Sequence, residues 1–230
     1  SYKRPASTSD CSASFRALWD ADNFYVLVDV TDDSLKHHSS TDKWHDSDSV
    51  EIYFDADNAK LAQYGPNDCQ YAFSWDKTSP SMQETKHSHT AGVHYAMVTT
   101  DKGYRLEARF PWSTVVGKPV VGGHVGFDVH VNDSDADGER ESKLTWHDPR
   151  DDAWDNPRAF GVAELAGMDV LPTGEAPADA FATAAARWGE YDYFFLHVKG
   201  TDMAGGGRAL DAQGEGDGGG GQRPAGPPRH

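Results

Sequence analysis

The chain has 230 residues, 37% of them hydrophobic, and its 21 Lys and Arg against 37 Asp and Glu give a net charge of −16. A field of that sign repels phosphate backbones and anionic lipid, which argues against nucleic acid or a membrane surface as partner. No apolar run approaches the ~20 residues needed to span a bilayer, and the length fits one domain with an added tail or fragment.

Ser1 is not followed by a charged-then-apolar leader, so we expect a mature product or a piece of a longer chain. Cys11 and Cys69 are too few for a disulfide scaffold; one bridge and two separate thiols are both compatible with the sequence.

From Phe15 to about Leu165 the apolar residues recur with period two, the pattern of strands with one buried face. Phe24, Val26, Val28 and Val30 alternate with Tyr25, Leu27 and Asp29, and Val50, Ile52 and Phe54 with Glu51, Tyr53 and Asp55. Tyr104, Leu106, Ala108 and Phe110 point inward against an outward Arg105, Glu107 and Arg109; Val125, Phe127, Val129 and Val131 alternate with Gly126, Asp128 and His130. Turn clusters at residues 55–58, 65–67 and 135–138 separate them. The fold class predicted for residues 1–165 is therefore all-β, an antiparallel β-sandwich of jelly-roll type. After Gly167 the pattern changes. Residues 178–187 are alanine-rich and read as a helix, and 193–198 form a continuous apolar run typical of a strand buried on both faces, so 166–204 reads as a short α/β-like fragment. Residues 205–230, mostly Gly, Pro, Ala, Arg and Gln, are expected to be a disordered tail.

Tryptophans in polar settings are the notable candidates for function. Trp44 lies within Asp42-Lys-Trp-His-Asp-Ser-Asp48, and Trp146 and Trp154 lie within residues 145–155, which carry four acidic side chains, Asp148, Asp151, Asp152 and Asp155. A pyranose ring has apolar C–H faces and polar edges, so an indole with carboxylate or guanidinium neighbours suits it. The competing reading is that these indoles cap the sandwich edges as half-buried packing residues. Trp19, Trp75 and Trp112 lie in or at the ends of alternating strands and are assigned to packing.

Residues 15–30, 48–55, 103–112, 125–133 and 146–149 through 156–161, in that order, resemble family 9 carbohydrate-binding modules. The resemblance implies a non-catalytic sandwich, appended to a secreted xylanase or related glycoside hydrolase, that binds xylan or cellulose chains or their ends between two tryptophans beside structural calcium. Carried over by position, Trp44 and Trp154 match the clamp, with Trp146 as substitute for the second. Glu51 would accept hydrogen bonds from sugar hydroxyls, with Glu107 and Asp151 as further candidates for that task. The resemblance places calcium near the sandwich rim, where Asp55, Asp57, Asn58 and Asp68 are the candidate ligands. Two departures concern the site: Ala72 stands where a basic residue is expected, and Trp44 lies one residue further from Glu51 than is usual. A third is at the front, where the family's opening strand is missing from the sequence, so that either an edge is left open or Ser1 is not the natural start.

Other metal patterns are weaker. Asp133-x-Asp135-x-Asp137-Gly138 resembles the start of an EF-hand loop, but its twelfth position is Leu144 and no helices flank it, so a polar turn is expected. The pairs His37-His38 and His87-x-His89 lack Cys or Glu partners at ligand spacing and are expected to be solvated loop histidines. No nucleophile elbow, phosphate-binding loop or His-Glu-x-x-His motif is present, so no enzymatic activity is expected. Two alternatives complete the reading. Residues 166–204 resemble a piece of archaeal-type, cofactor-independent phosphoglycerate mutase, a metal-dependent enzyme, although Gly205-Gly-Gly-Arg replaces its following metal-binding histidine; a junction is expected near residues 160–166. A haem-binding electron-transfer sandwich using histidines with Met82 or Met97 has no fixed spacing behind it.

Overall fold

Alternating apolar residues become two facing sheets in the computed structural model of the chain, which describes residues 3–37, 41–136, 139–167 and 177–190. The chain divides into two compact units, residues 1–167 and 168–230. In the first, the described strands are β1 (Cys11–Trp19), β2 (Asn23–Asp32), β3 (Ser49–Asp55), β4 (Asp68–Ser74), β5 (Ser81–Glu84), β6 (His94–Thr100), β7 (Gly103–Pro111), β8 (His124–Asp133), β9 (Ser142–Thr145) and β10 (Gly161–Glu164). One sheet has the order β1-β2-β7-β6; the other runs β10-β8-β3-β4-β5, with β9 paired to the second half of β8. Each of these pairings is antiparallel. The predicted all-β antiparallel sandwich is the architecture observed.

The period-two pattern explains the core. Phe24 and Phe110 pair across β2 and β7, while Phe54 and Phe127 pair across β3 and β8 of the other sheet. Phe54 is the hub, with ring centroids 5.4 Å from Phe24, 5.0 Å from Phe110 and 5.4 Å from Phe127, distances at which tilted and edge-on rings attract. Trp112 and Trp75 close the ends, donating Nε1–H to Asp20 O (2.9 Å) and Thr99 Oγ1 (3.2 Å), and Trp19 donates to Ala166 O (3.0 Å), in keeping with packing roles. Cys11 and Cys69 are both buried free thiols.

One expectation needs correction. Glu51, Tyr53 and Asp55 do alternate away from the core, yet β3 is buried along its whole length, and so are Asp128 and His130 on β8. The reason is that residues 146–160 fold back over this sheet's outer face. Backbone N–H groups of His147 and Asp148 donate to the Asp128 carboxylate (both 3.1 Å), and Tyr64 Oη donates to Ala153 O (2.6 Å). Tyr53, Ala153 and Phe160 then form a small second core with Tyr64 at its side. The edge of β9 is not wholly open either: Lys143 N donates to Lys3 O at 2.9 Å, laying the N-terminal segment along it.

In the second unit the described element is α1 (Pro177–Ala186), close to the predicted helix at 178–187. The apolar run at 193–198, the tail at 205–230, and His38, Asp137 and Gly138 lie outside the described residues.

Candidate functional site

On the outer face of the six-stranded sheet, alternation and register bring together Glu51 (β3), Gln70 (β4), Asn132 (β8) and Lys143 (β9). Glu51 has no exposed surface and is surrounded by donors. Its Oε1 accepts from Asn132 Nδ2 at 2.7 Å and Lys143 Nζ at 2.9 Å; its Oε2 accepts from Gln70 Nε2 at 2.9 Å and from Tyr53 Oη. Burial alone would raise its pKa, but the Lys143 charge and these hydrogen bonds outweigh it and hold the carboxyl at about 2. Lys143 Nζ also bonds Asp151 Oδ1 at 2.6 Å, and Arg140 reaches Asp151 Oδ2 (3.5 Å) and Asn132 Oδ1 (2.9 Å). His130 is fully buried beside this network, its Nε2 3.5 Å from Asp128 Oδ2 and its Nδ1 3.8 Å from Asp151 Oδ1.

The structure also resolves the absence of a basic residue at position 72. Ala72 stands opposite Glu51 in the β3–β4 register, and the cation for Glu51 comes on the same face from the other flank of β3, from Lys143 on β9. Sequence reasoning missed Lys143 and Arg140, because β9 has four residues and its register is set by pairing with β8. Gln70 and Asn132 had a signal, since alternation puts them on the Glu51 face.

The indoles are placed differently from one another. Trp44 is half-buried on a 3₁₀ turn (Thr41–Asp46) that packs against β4 and β8 at the start of β3. Trp154 is 54% exposed in the covering segment, with Lys86 Nζ donating to its carbonyl. Trp146 is 49% exposed at the sandwich edge, its ring set edge-on to Phe15 at 5.2 Å. Asp151, at φ +59°, extends the network towards the surface. Glu107 is not part of this assembly. It is exposed on β7, on the outer face of the other sheet.

The rim turn expected to bind calcium is organised by its own backbone. Asp55 accepts from Ala59 N (3.0 Å) and Lys60 N (2.8 Å), Asp57 from Ala59 N (3.2 Å) and Asp68 from Gly65 N (2.6 Å); Asn58 takes φ +53°, and its Oδ1 is buried with no hydrogen-bond partner among the described residues. Carboxylates converge elsewhere. Asp32 at the end of β2, Asp133 at the end of β8 and Asp135 just beyond bring oxygens within 4.8 Å of one another, and Asp10 and Asp33 adjoin Asp135 in the same way. Asp32 Oδ2, Asp133 Oδ1 and Asp135 Oδ1 are buried with no hydrogen-bond partner among the described residues. Burial and mutual repulsion push Asp32 up to about 6 and raise Asp133 and Asp135. Nearby, Asp48, bonded to Ser134 N at 2.9 Å and to Lys36 N, is pushed up to about 9 for the same reasons. The histidines expected to be solvated lie in loops, His37 and His87 exposed and His89 half-buried, and each ring also meets one protein group: His37 Trp75 O (2.9 Å), His87 Gly65 O (2.8 Å) and His89 Cys69 Sγ (3.5 Å).

Residues 2–168 match the family model described as carbohydrate family 9 binding domain-like. The chain belongs to this family. Exoglucanase XynX of Acetivibrio thermocellus is 33% identical over 156 residues, covering 68% of this chain and 14% of that enzyme. Endo-1,4-beta-xylanase A of Thermoanaerobacterium saccharolyticum is 32% identical over 160 residues, 70% of this chain and 13% of the enzyme. The module thus spans about one seventh of the curated relatives it matches. A family 9 carbohydrate-binding module from Caldicellulosiruptor kristjanssonii, solved in complex with cellotriose, superposes with a TM-score of 0.63 at 26% identity, covering 75% of this chain and 86% of that one. A family 9 module from the same organism, solved in complex with glucose, gives 0.62 at 28% identity, covering 75% of this chain and 88% of that one. A separate stretch of 49 residues, 21% of the chain, is 45% identical to a probable 2,3-bisphosphoglycerate-independent phosphoglycerate mutase of Thermotoga petrophila and covers 12% of that enzyme.

Proposed function

We propose that this carbohydrate-binding module holds a stretch or an end of a β-linked glucan or xylan chain by stacking on Trp154 and Trp44, with hydroxyls bonded by Asp151, Arg140 and Lys143. The observation that carries this is the exposed Trp154 indole, three residues from Asp151 in the segment that covers a charge-balanced array of donors and acceptors. It is supported by the cellotriose and glucose held by the solved relatives. Glu51 has both oxygens filled by protein donors, so it takes a sugar hydroxyl only in exchange for one of them. The module performs no chemistry itself. Its parent is a secreted polysaccharide-degrading enzyme, since the curated relatives are xylanases and an exoglucanase and a polymer too large to cross the envelope is met outside the cell.

Calorimetry with cello- and xylo-oligosaccharides tests the reading. Trp154→Ala and Trp44→Ala should each weaken binding about thirtyfold or more, the behaviour of aromatic hot spots. Unchanged affinity in both variants would remove the clamp.

We further propose that calcium binds at Asp32, Asp133 and Asp135, with Asp10 and Asp33 adjoining, in place of the Asp55–Asp68 turn. The three buried oxygens without partners support this, because an unpaired buried carboxylate is costly and hard oxygen ligands suit calcium. The ion would neutralise repulsion between the two sheets, Asp32 coming from one and Asp133 from the other. Terbium luminescence should report the site, and Asp133→Asn should abolish it; terbium retained by that variant and lost on Asp57→Asn would return calcium to the rim turn.

A further inference from the structure

The packing tryptophans Trp19, Trp75 and Trp112 each give their Nε1–H to a protein acceptor, but among the described residues Trp146 does not. Its indole is nonetheless fixed. Its backbone N–H donates to Val129 O at 3.0 Å, and its ring is edge-on to Phe15 and tilted against Phe127 at 6.3 Å. It also lies over Gly161 on β10, where an added Cβ would stand 2.7 Å from the ring carbon Cζ3. No other residue would leave room for it. An indole so held, and still 49% exposed, is a preorganised platform that gives up little freedom on meeting a ligand.

Beside it runs a groove of about 250 Å³ lined by Arg4, Thr145, His147 and Pro149 together with Lys143. Arg4 is exposed and, among the described residues, makes no hydrogen bond or ion pair, although the chain carries a net charge of −16. His147 Nδ1 lies 3.0 Å from Ala159 O. A carbonyl oxygen can only accept, so Nδ1 carries the proton and Nε2 is left as an acceptor in the neutral ring. The groove therefore offers an apolar ring face, a fork of donors and an acceptor, the complement of a pyranose with its C–H face and hydroxyl edge. Lys143 connects it to the first site, since its ammonium bonds Glu51 and Asp151 while the residue lines this groove.

We propose that Trp146 with Arg4 and His147 forms a second pyranose subsite at the sandwich edge, which takes a further sugar of a longer chain already held at Trp154. This inference rests on the sugar-binding reading above, and the test separates the two. The indole N–H signals of the full chain are assigned by Trp→Phe variants and followed by NMR during titration with cellohexaose and xylohexaose. The expected result is a saturable shift of the Trp146 signal alongside those of Trp44 and Trp154. Arg4→Ala, a surface change remote from the core, should then weaken hexasaccharide binding about fivefold while leaving glucose binding and the melting temperature unchanged. Shifts of Trp44 and Trp154 with none at Trp146 would overturn the second subsite alone. An unshifted spectrum in folded protein would overturn the clamp and the subsite together, and an equal loss of glucose and hexasaccharide affinity in Arg4→Ala would assign Arg4 to the first site.

Discussion

Glu51 and Lys143 show how much of the site depends on charge balance away from water. Taking the ammonium away leaves Glu51 with no counter-charge in a place with no solvent, a loss of about 3–5 kcal/mol for a broken buried pair. Lys143→Met should therefore lower the urea midpoint strongly and abolish sugar binding, and Lys143→Arg should recover part of both. The depressed carboxyl also sets a pH window. A group held at about 2 when folded, against 4.5 ordinarily, contributes stability that is fully present above about pH 4.5 and is lost as pH falls towards 2. Thermal melts between pH 6 and pH 2.5 should show this decline, and Glu51→Gln, less stable throughout, should show a shallower one. Trp44, Glu51 and Trp154 could be picked out in the sequence because residue type and family order mark them. Asp133 and Asp135 showed only as the start of an EF-hand-like pattern read as a turn, and Asp32 gave no signal, because it ends β2 and meets them at the end of β8 only when the sheets face each other.

Strands with long alternating patterns were readable as strands, and β2, β3, β7 and β8 all lie where period two puts them. The short ones, β5, β9 and β10, have four residues each, too few for a period to show, and they form by pairing with neighbours. The covering segment at 146–160 left no pattern of its own, since its burial comes from backbone donors to Asp128 and from Tyr64, not from an apolar stripe. At this scale Phe54 is the sensitive position, as the ring on β3 that touches both β2 and β7 of the facing sheet. Phe54→Ala should cost about 3–5 kcal/mol, measured by chemical denaturation. Gly103, which opens β7 at φ +143°, is a second: a Cβ there would stand 2.4 Å from Val30 O. Gly103→Ala should destabilise the β2–β7 pairing by more than the ~1 kcal/mol of an ordinary strained turn, read as faster amide exchange along β2.

For the molecule as a whole, the acidic cluster between the sheets makes a cation the expected stabiliser. Calcium at a hundred times its Kd adds about 2.7 kcal/mol, which at roughly 2–4 °C per kcal/mol is an increase of about 5–10 °C in Tm. A chelator should reverse it, and a Tm indifferent to both would remove the calcium proposal. Residues 1–167 form one compact unit, so that segment alone should bind oligosaccharide as the full chain does, measured by the same calorimetry. Composition, charge and alternation were enough for an acidic all-β sandwich without enzymatic motifs, because burial on one face of a strand is a local property written every second residue. Which outward residues stay wet, which cation serves Glu51 and where carboxylates collect required the folded chain, because each follows from strand register and from a segment laid across a sheet, and those bring together residues as far apart in sequence as Glu51 and Lys143 or Asp32 and Asp133.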